Sequence, residues 1–94
     1  MSIEQLIDVL EEARALLSRP ENHFEWSRWS DADQAVAEVG AILGRIAAAD
    51  TIKLAEIEVL FAATGPIQEV SLPSGWGDEF LRLAERFDQA TADL

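Results

Sequence analysis

The amino-acid sequence predicts an all-α protein: a small antiparallel four-helix bundle that forms one domain over residues 1–94, with two long aromatic-bearing loops at one end. Apolar residues recur at intervals of three and four along most of the chain, which is the pattern of an amphipathic helix. Prolines and glycines interrupt this pattern at only a few places, and one predicted connection, near Asp50, is short enough to favour antiparallel neighbours. A chain of 94 residues suits one domain and is too short for two.

The first two helices are predicted at about 3–18 and 31–48. The apolar face of the first consists of Ile3, Leu6, Ile7, Leu10, Ala13 and Leu17, and that of the second consists of Val36, Val39, Ile42, Leu43 and Ile46. Pro20 ends the first helix, because the residue before a proline is biased away from helical geometry. The aspartates at the start of the second helix suit the positive end of its dipole.

Two further helices are predicted at about 51–63 and 78–91. Gly65 is expected to end the third helix in the left-handed conformation, with Pro66 just beyond it. The segment 65–77 fits a helical turn, a loop or an extended segment equally well, because its apolar pattern is too short to distinguish them.

All three tryptophans lie in or beside the first and third connections, which share one end of an up-down bundle. The aromatic rim predicted at that end consists of His23, Phe24, Trp26, Trp29 and Trp76. These rings are predicted mainly to seal the open end of the bundle, since large aromatic side chains are mostly buried. The alternative is that at least one tryptophan stays exposed and anchors a partner.

A stripe of small residues runs along the second helix and consists of Ala37, Gly40, Gly44 and Ala47. A glycine inside a helix costs about 1 kcal/mol relative to alanine, so two of them imply a compensating contact. The stripe is predicted to pack closely against another helix of the same chain, and the alternative is a homodimer seam.

Acidic residues dominate the charge, with 18 Asp and Glu against 7 Lys and Arg and a formal net charge of −11. This charge disfavours nucleic-acid backbones and anionic membrane surfaces and favours basic partners. The acids predicted to bind such a partner lie on the first two helices and are Glu4, Asp8, Glu11, Glu12, Asp31, Asp33 and Glu38.

No pattern in the sequence points to catalysis, so we expect no enzyme activity, no cofactor and no metal. The absence of cysteine excludes disulfides and thiolate chemistry, and His23 with its flanking acids lacks the spacing of an established metal site. The N-terminal segment carries acids where a signal peptide needs basic residues, and no apolar run reaches the roughly 18 residues of a membrane span. We therefore expect a cytoplasmic protein.

The sequence predicts a non-enzymatic acidic interaction module that binds a basic protein. One version of this prediction is an inhibitor of that protein. In size, charge and helix content the chain is similar to bacterial immunity proteins, which neutralise basic nuclease toxins, although no shared motif carries this likeness. Binding is expected to be salt-sensitive and to weaken when Asp8 and Glu12 are neutralised. The alternatives are a structural homodimer or subunit, and a small-molecule-binding domain whose pocket is lined by Trp26, Trp76, His23 and Gln68.

Overall fold

Five α-helices and no strand are present in the part of the chain that the computed structural model describes, residues 2–48, 53–63 and 65–92. They are α1 (Ser2–Leu17), α2 (Ala32–Ala47), α3 (Leu54–Phe61), α4 (Pro66–Ser74) and α5 (Gly77–Thr91). The all-α class is confirmed, and each of the four predicted helices is present. Helices α1, α2 and α5 begin and end within one residue of their predicted bounds, because a strong local apolar pattern and clear end signals define them.

Helix α3 is shorter than the prediction of 51–63. It covers Leu54–Phe61 and ends because Ala62 has an extended backbone, with ψ at 156°. The predicted start of this helix and the short connection near Asp50 fall in residues 49–52, which lie outside the described residues.

The segment 65–77, whose sequence left a helical turn, a loop and an extended segment open, forms helix α4 and a tight turn, so most of this connection is helical. Pro66 occupies the first helical turn, where its missing N–H is not needed. Gly75 has a φ of 86° and ends the helix in the left-handed conformation. Gly65 does not have the left-handed conformation predicted for it: its φ is −81°, and it serves as the N-cap of α4.

Helix α1 is central to the packing and makes its most extensive contacts with α5 and α2. Helix α4 packs against α5, α3 and α1, and the rings of Phe61 on α3 and Phe87 on α5 stack with their centroids 4.5 Å apart. The buried apolar core includes Leu6, Leu10, Leu17, Val39, Ile57, Leu60, Ile67, Val70, Trp76 and Leu83. The radius of gyration is 12.5 Å, against about 12 Å for a compact domain of this length.

The loop between α1 and α2 meets the turn between α4 and α5 at one end of the molecule. The His23 backbone N–H donates to Ser74 Oγ at 2.8 Å, and the Trp76 indole N–H donates to Asn22 Oδ1 at 2.8 Å. The prediction that the first and third connections share one end is confirmed. None of the described helices is long and apolar enough to cross a membrane.

Candidate interaction site

A tight turn in the loop between α1 and α2 presents an exposed tryptophan. The Ser27 backbone N–H donates to the Phe24 carbonyl oxygen at 3.0 Å, so Glu25 and Trp26 occupy the two central positions of the turn. Trp26 is 72% exposed, and the side chain of Glu25 is 73% exposed. The side chain of Phe24 is partly buried against the core and fixes the base of the turn.

The chain that enters this turn is fixed by a hydrogen-bonded asparagine. Asn22 Nδ2 donates to the Leu16 carbonyl oxygen at 2.7 Å, which satisfies an acceptor in the last turn of α1. Asn22 Oδ1 accepts from the indole of Trp76, which is only 1% exposed. The loop is thereby held between the end of α1 and a side chain of the core.

The chain that leaves the turn is fixed by three side chains in mutual contact. The Trp29 ring is 3% exposed, and its indole N–H donates to Glu38 Oε1 at 3.1 Å. The Arg28 guanidinium donates to both carboxylate oxygens of Glu38, at 2.8 and 2.5 Å, and lies 5.3 Å from the centroid of the Trp29 ring. A two-pronged arginine–carboxylate pair with a stacked indole has a defined geometry.

The three tryptophans divide between the two predictions made for them. Trp29 and Trp76 are buried at the end of the bundle, as the sealing prediction requires, and Phe24 is half-buried beside them. Trp26 is exposed, as the alternative requires. Because Trp76 lies in the core, the rings of Trp26 and Trp76 do not face one open cavity. His23, also in the rim, is exposed, with Nδ1 at 3.6 Å from Glu25 Oε1.

The carboxyl of Glu38 has a pKa below its ordinary value, chiefly because of the hydrogen bonds from Arg28. Partial burial opposes this shift, and the Trp29 indole adds to it. The same contact raises the pKa of Arg28. Both residues are therefore charged at neutral pH, and the contact depends on Glu38 being ionised.

We expect this contact to make stability depend on pH. Because the pKa of Glu38 is lower in the folded than in the unfolded state, its contribution is complete above the unfolded value of about 4.3 and is lost as the pH falls through the folded value. Glu38→Gln should therefore lower the urea midpoint at pH 7 and flatten its decline below about pH 5. Urea unfolding at several pH values measures both effects. Glu85→Gln, an exposed change on α5, should keep the wild-type slope, and an unchanged slope in Glu38→Gln would contradict the assignment.

The seven acids predicted to bind a partner fall into two groups. Some have internal roles: Glu12 accepts from Arg86 Nη1 at 2.5 Å, Glu38 binds Arg28, and Asp31 caps α2 by accepting from the Gln34 N–H at 3.0 Å. The others are exposed and form no ion pair within the described residues; they are Glu4, Asp8, Glu11 and Asp33.

Most of the arginines form ion pairs with acidic residues of the same chain. In the described part, five of the seven basic residues form ion pairs, namely Arg19–Glu79, Arg28–Glu38, Arg45–Glu56, Arg82–Glu79 and Arg86–Glu12. These pairs connect different helices or a loop and a helix in all but one case. The uncompensated negative charge therefore lies on the acidic residues that form no ion pair in the described part of the chain.

The stripe of small residues on α2 faces largely outward. Ala37, Gly44 and Ala47 are exposed, and a Cβ placed on Gly44 would meet no atom of the described residues within 4 Å. A Cβ on Gly40 would meet Arg14 Nη1 at 3.8 Å, an ordinary contact. Close packing against the described residues therefore does not account for Gly44, because a Cβ there would have none of them within 4 Å. The homodimer seam stays a prediction.

The loop between α1 and α2 lines a surface concavity. This concavity has a volume of about 590 Å³ and is wide open to solvent, with a mainly polar lining that includes Asn22, His23, Arg28 and Ser30. Within residues 2–48, 53–63 and 65–92, no group of three or more histidine, aspartate or glutamate side chains is arranged to hold a metal ion.

Comparison of the chain with protein-family models, with curated proteins and with solved structures gave no match. The candidate site is therefore defined by the geometry of this chain alone.

Proposed function

We propose that the protein is a non-enzymatic interaction module that binds a basic protein through the α1 acidic face, defined as Glu4, Asp8 and Glu11. One observation carries this proposal. The arginines of the chain mostly pair with other acids, and these three exposed carboxylates have no ion pair in the described part of the chain.

The three acids share one side of α1. Their spacings of four and three place them one above another on a helix, opposite the buried Leu6 and Leu10. Like charges at a spacing of four destabilise a helix by about 0.2–0.5 kcal/mol per pair. A basic partner would remove this repulsion, and a surface of one sign also speeds encounter with a partner of the opposite sign.

Neutralising the α1 acidic face is expected to weaken binding roughly tenfold, because each exposed charge pair contributes about 0.2–1 kcal/mol. The immobilised chain would capture proteins from a lysate of its source cells and release them along a salt gradient. Wild-type protein should retain a basic protein to moderate salt, and the variant Glu4→Gln, Asp8→Asn, Glu11→Gln should release it earlier.

A matched control removes the same charge from other surfaces through Glu58→Gln, Glu85→Gln and Asp88→Asn. These residues are exposed and form no ion pair within the described residues, so this variant should elute like the wild type. Equal weakening by both variants would show that only net charge matters and would reject the α1 acidic face. Light scattering on each variant checks that none has changed its oligomeric state.

A further inference from the structure

The loop between α1 and α2 contains one completed arginine site. The Arg28 guanidinium lies over the Trp29 ring, 5.3 Å from its centroid, and both of its terminal nitrogens donate to the Glu38 carboxylate. In this arrangement an indole and a carboxylate, hydrogen-bonded to each other, together bind one guanidinium. The guanidinium is planar and weakly hydrated, which suits stacking and two-pronged hydrogen bonding at once.

The exposed turn three residues earlier has the same two components without the arginine. Trp26 offers an indole that is 72% exposed, and Glu25, its neighbour in the turn, offers a carboxylate on a side chain that is 73% exposed. No cation lies over the Trp26 ring within the described chain. The contact of Glu25 with His23 is long, at 3.6 Å, and exposed.

We infer that the Glu25–Trp26 turn receives an arginine side chain of the basic partner, with the guanidinium stacked on the indole and hydrogen-bonded to the carboxylate. This inference rests on the proposed function for the sign of the partner's charge. It adds the residue type recognised and a contact point away from the α1 acidic face. Arginine is favoured over lysine because the lysine ammonium is a compact and strongly hydrated charge that cannot stack.

The way the turn is held supports this role. Asn22 fixes the chain before the turn through Leu16 and Trp76, and Trp29 fixes the chain after it through Glu38. An exposed side chain on a fixed loop loses less conformational freedom on binding than one on a mobile loop. Tryptophan is also the residue type most enriched among side chains that dominate binding energies.

Titration of the full-length chain, labelled with ¹⁵N, with N-acetyl octa-arginine amide and N-acetyl octa-lysine amide tests the inference by NMR. The chain has three indole N–H signals, and those of Trp29 and Trp76 are hydrogen-bonded internally and serve as references. The Trp26 signal should shift with octa-arginine, and octa-arginine should bind about two- to fivefold more tightly than octa-lysine at equal ionic strength.

Variants separate the turn from general attraction between opposite charges. Trp26→Ala should remove the preference for octa-arginine, and Glu25→Gln should reduce it. Leu81→Ala alters another exposed apolar residue, 60% exposed on α5, and should leave both affinities unchanged.

The outcomes distinguish this inference from the proposed function. Equal binding of the two peptides with no effect of Trp26→Ala would overturn the inference, and loss of binding in the α1 acidic face variant would still support the proposed function. A Trp26 shift specific to octa-arginine in both the wild type and that variant would support the turn, and an unchanged peptide affinity in that variant would reject the α1 acidic face. Absence of binding by either peptide would reject both.

Discussion

Replacing Trp76 by alanine is expected to destabilise the protein by about 3–5 kcal/mol, the cost of truncating a large buried aromatic side chain. Trp76 is 1% exposed and lies where α4, α5 and the loop between α1 and α2 meet. The substitution would leave a cavity there and would remove the indole donor to Asn22 Oδ1. A domain of this size has a free energy of unfolding of roughly 5–15 kcal/mol, so the variant should retain only marginal stability. Urea unfolding followed by circular dichroism measures the loss.

Two further variants separate packing from hydrogen bonding at this site. Trp76→Phe retains much of the apolar volume but leaves Asn22 Oδ1 without its donor, so a loss of about 1–3 kcal/mol is expected. Trp26→Ala changes the exposed tryptophan and should alter the free energy of unfolding by less than about 0.5 kcal/mol. Similar urea midpoints for Trp76→Ala and Trp26→Ala would contradict the placement of the two rings.

The contrast between these tryptophans shows where prediction from sequence ends. All three have a local sequence that reads as a loop or its border, and composition alone predicts that most large aromatics are buried. Which ring is buried depends on contacts between distant segments, such as the Trp76–Asn22 hydrogen bond across 54 positions. The exposure of Trp26 follows from the turn between Phe24 and Ser27, whose closing hydrogen bond has no distinctive local sequence signal.

The acids illustrate the same limit. The column of like charges on α1 is a local pattern, and its position on one face of a regular helix could be predicted. The role of Glu12 could not, because its partner Arg86 lies 74 positions away on α5. Glu38 has no basic residue near it on its own helix, and Arg28 reaches it from the loop. The sequence therefore predicted the negative surface, and the structure defined which carboxylates remain available on it.

Helix α4 could not be assigned from its sequence because its signals conflict. Pro66 is typical of a helix start, and Pro73 is unfavourable inside a helix. Pro73 lies one residue before the end of this nine-residue helix, so the backbone hydrogen bond that it cannot donate is one of the last in the helix. The left-handed conformation predicted for Gly65 is found instead at Gly75, and Gly65 has a φ that any residue can adopt. The reason for glycine at position 65 must then be steric.

Replacing Gly65 by alanine is accordingly expected to destabilise the protein by about 3 kcal/mol. A Cβ at this position would lie 2.3 Å from the Val59 carbonyl oxygen and 3.2 Å from those of Leu60 and Ala62. All three atoms belong to the backbone at the end of α3, so no side-chain rotation can relieve the clash. The end of α3 would have to move away from α4, which would disturb the packing of Phe61 and Leu60, both buried. Thermal and urea unfolding would measure the loss.

Gly44→Ala is the matched control, because it adds the same methyl group to a glycine of the same chain. In the part of the chain that the structure describes, a Cβ there meets nothing within 4 Å, and Gly44 lies inside α2, where alanine is favoured over glycine by about 1 kcal/mol. The two substitutions should therefore have opposite signs, with Gly44→Ala stabilising and Gly65→Ala destabilising. If Gly65→Ala were neutral, α3 and α4 would not approach each other as closely as the structure shows. If Gly44→Ala lowered the urea midpoint, a contact over Gly44 would be implied. A second copy of the chain, packed at the homodimer seam on α2, would cover the glycine and supply that contact.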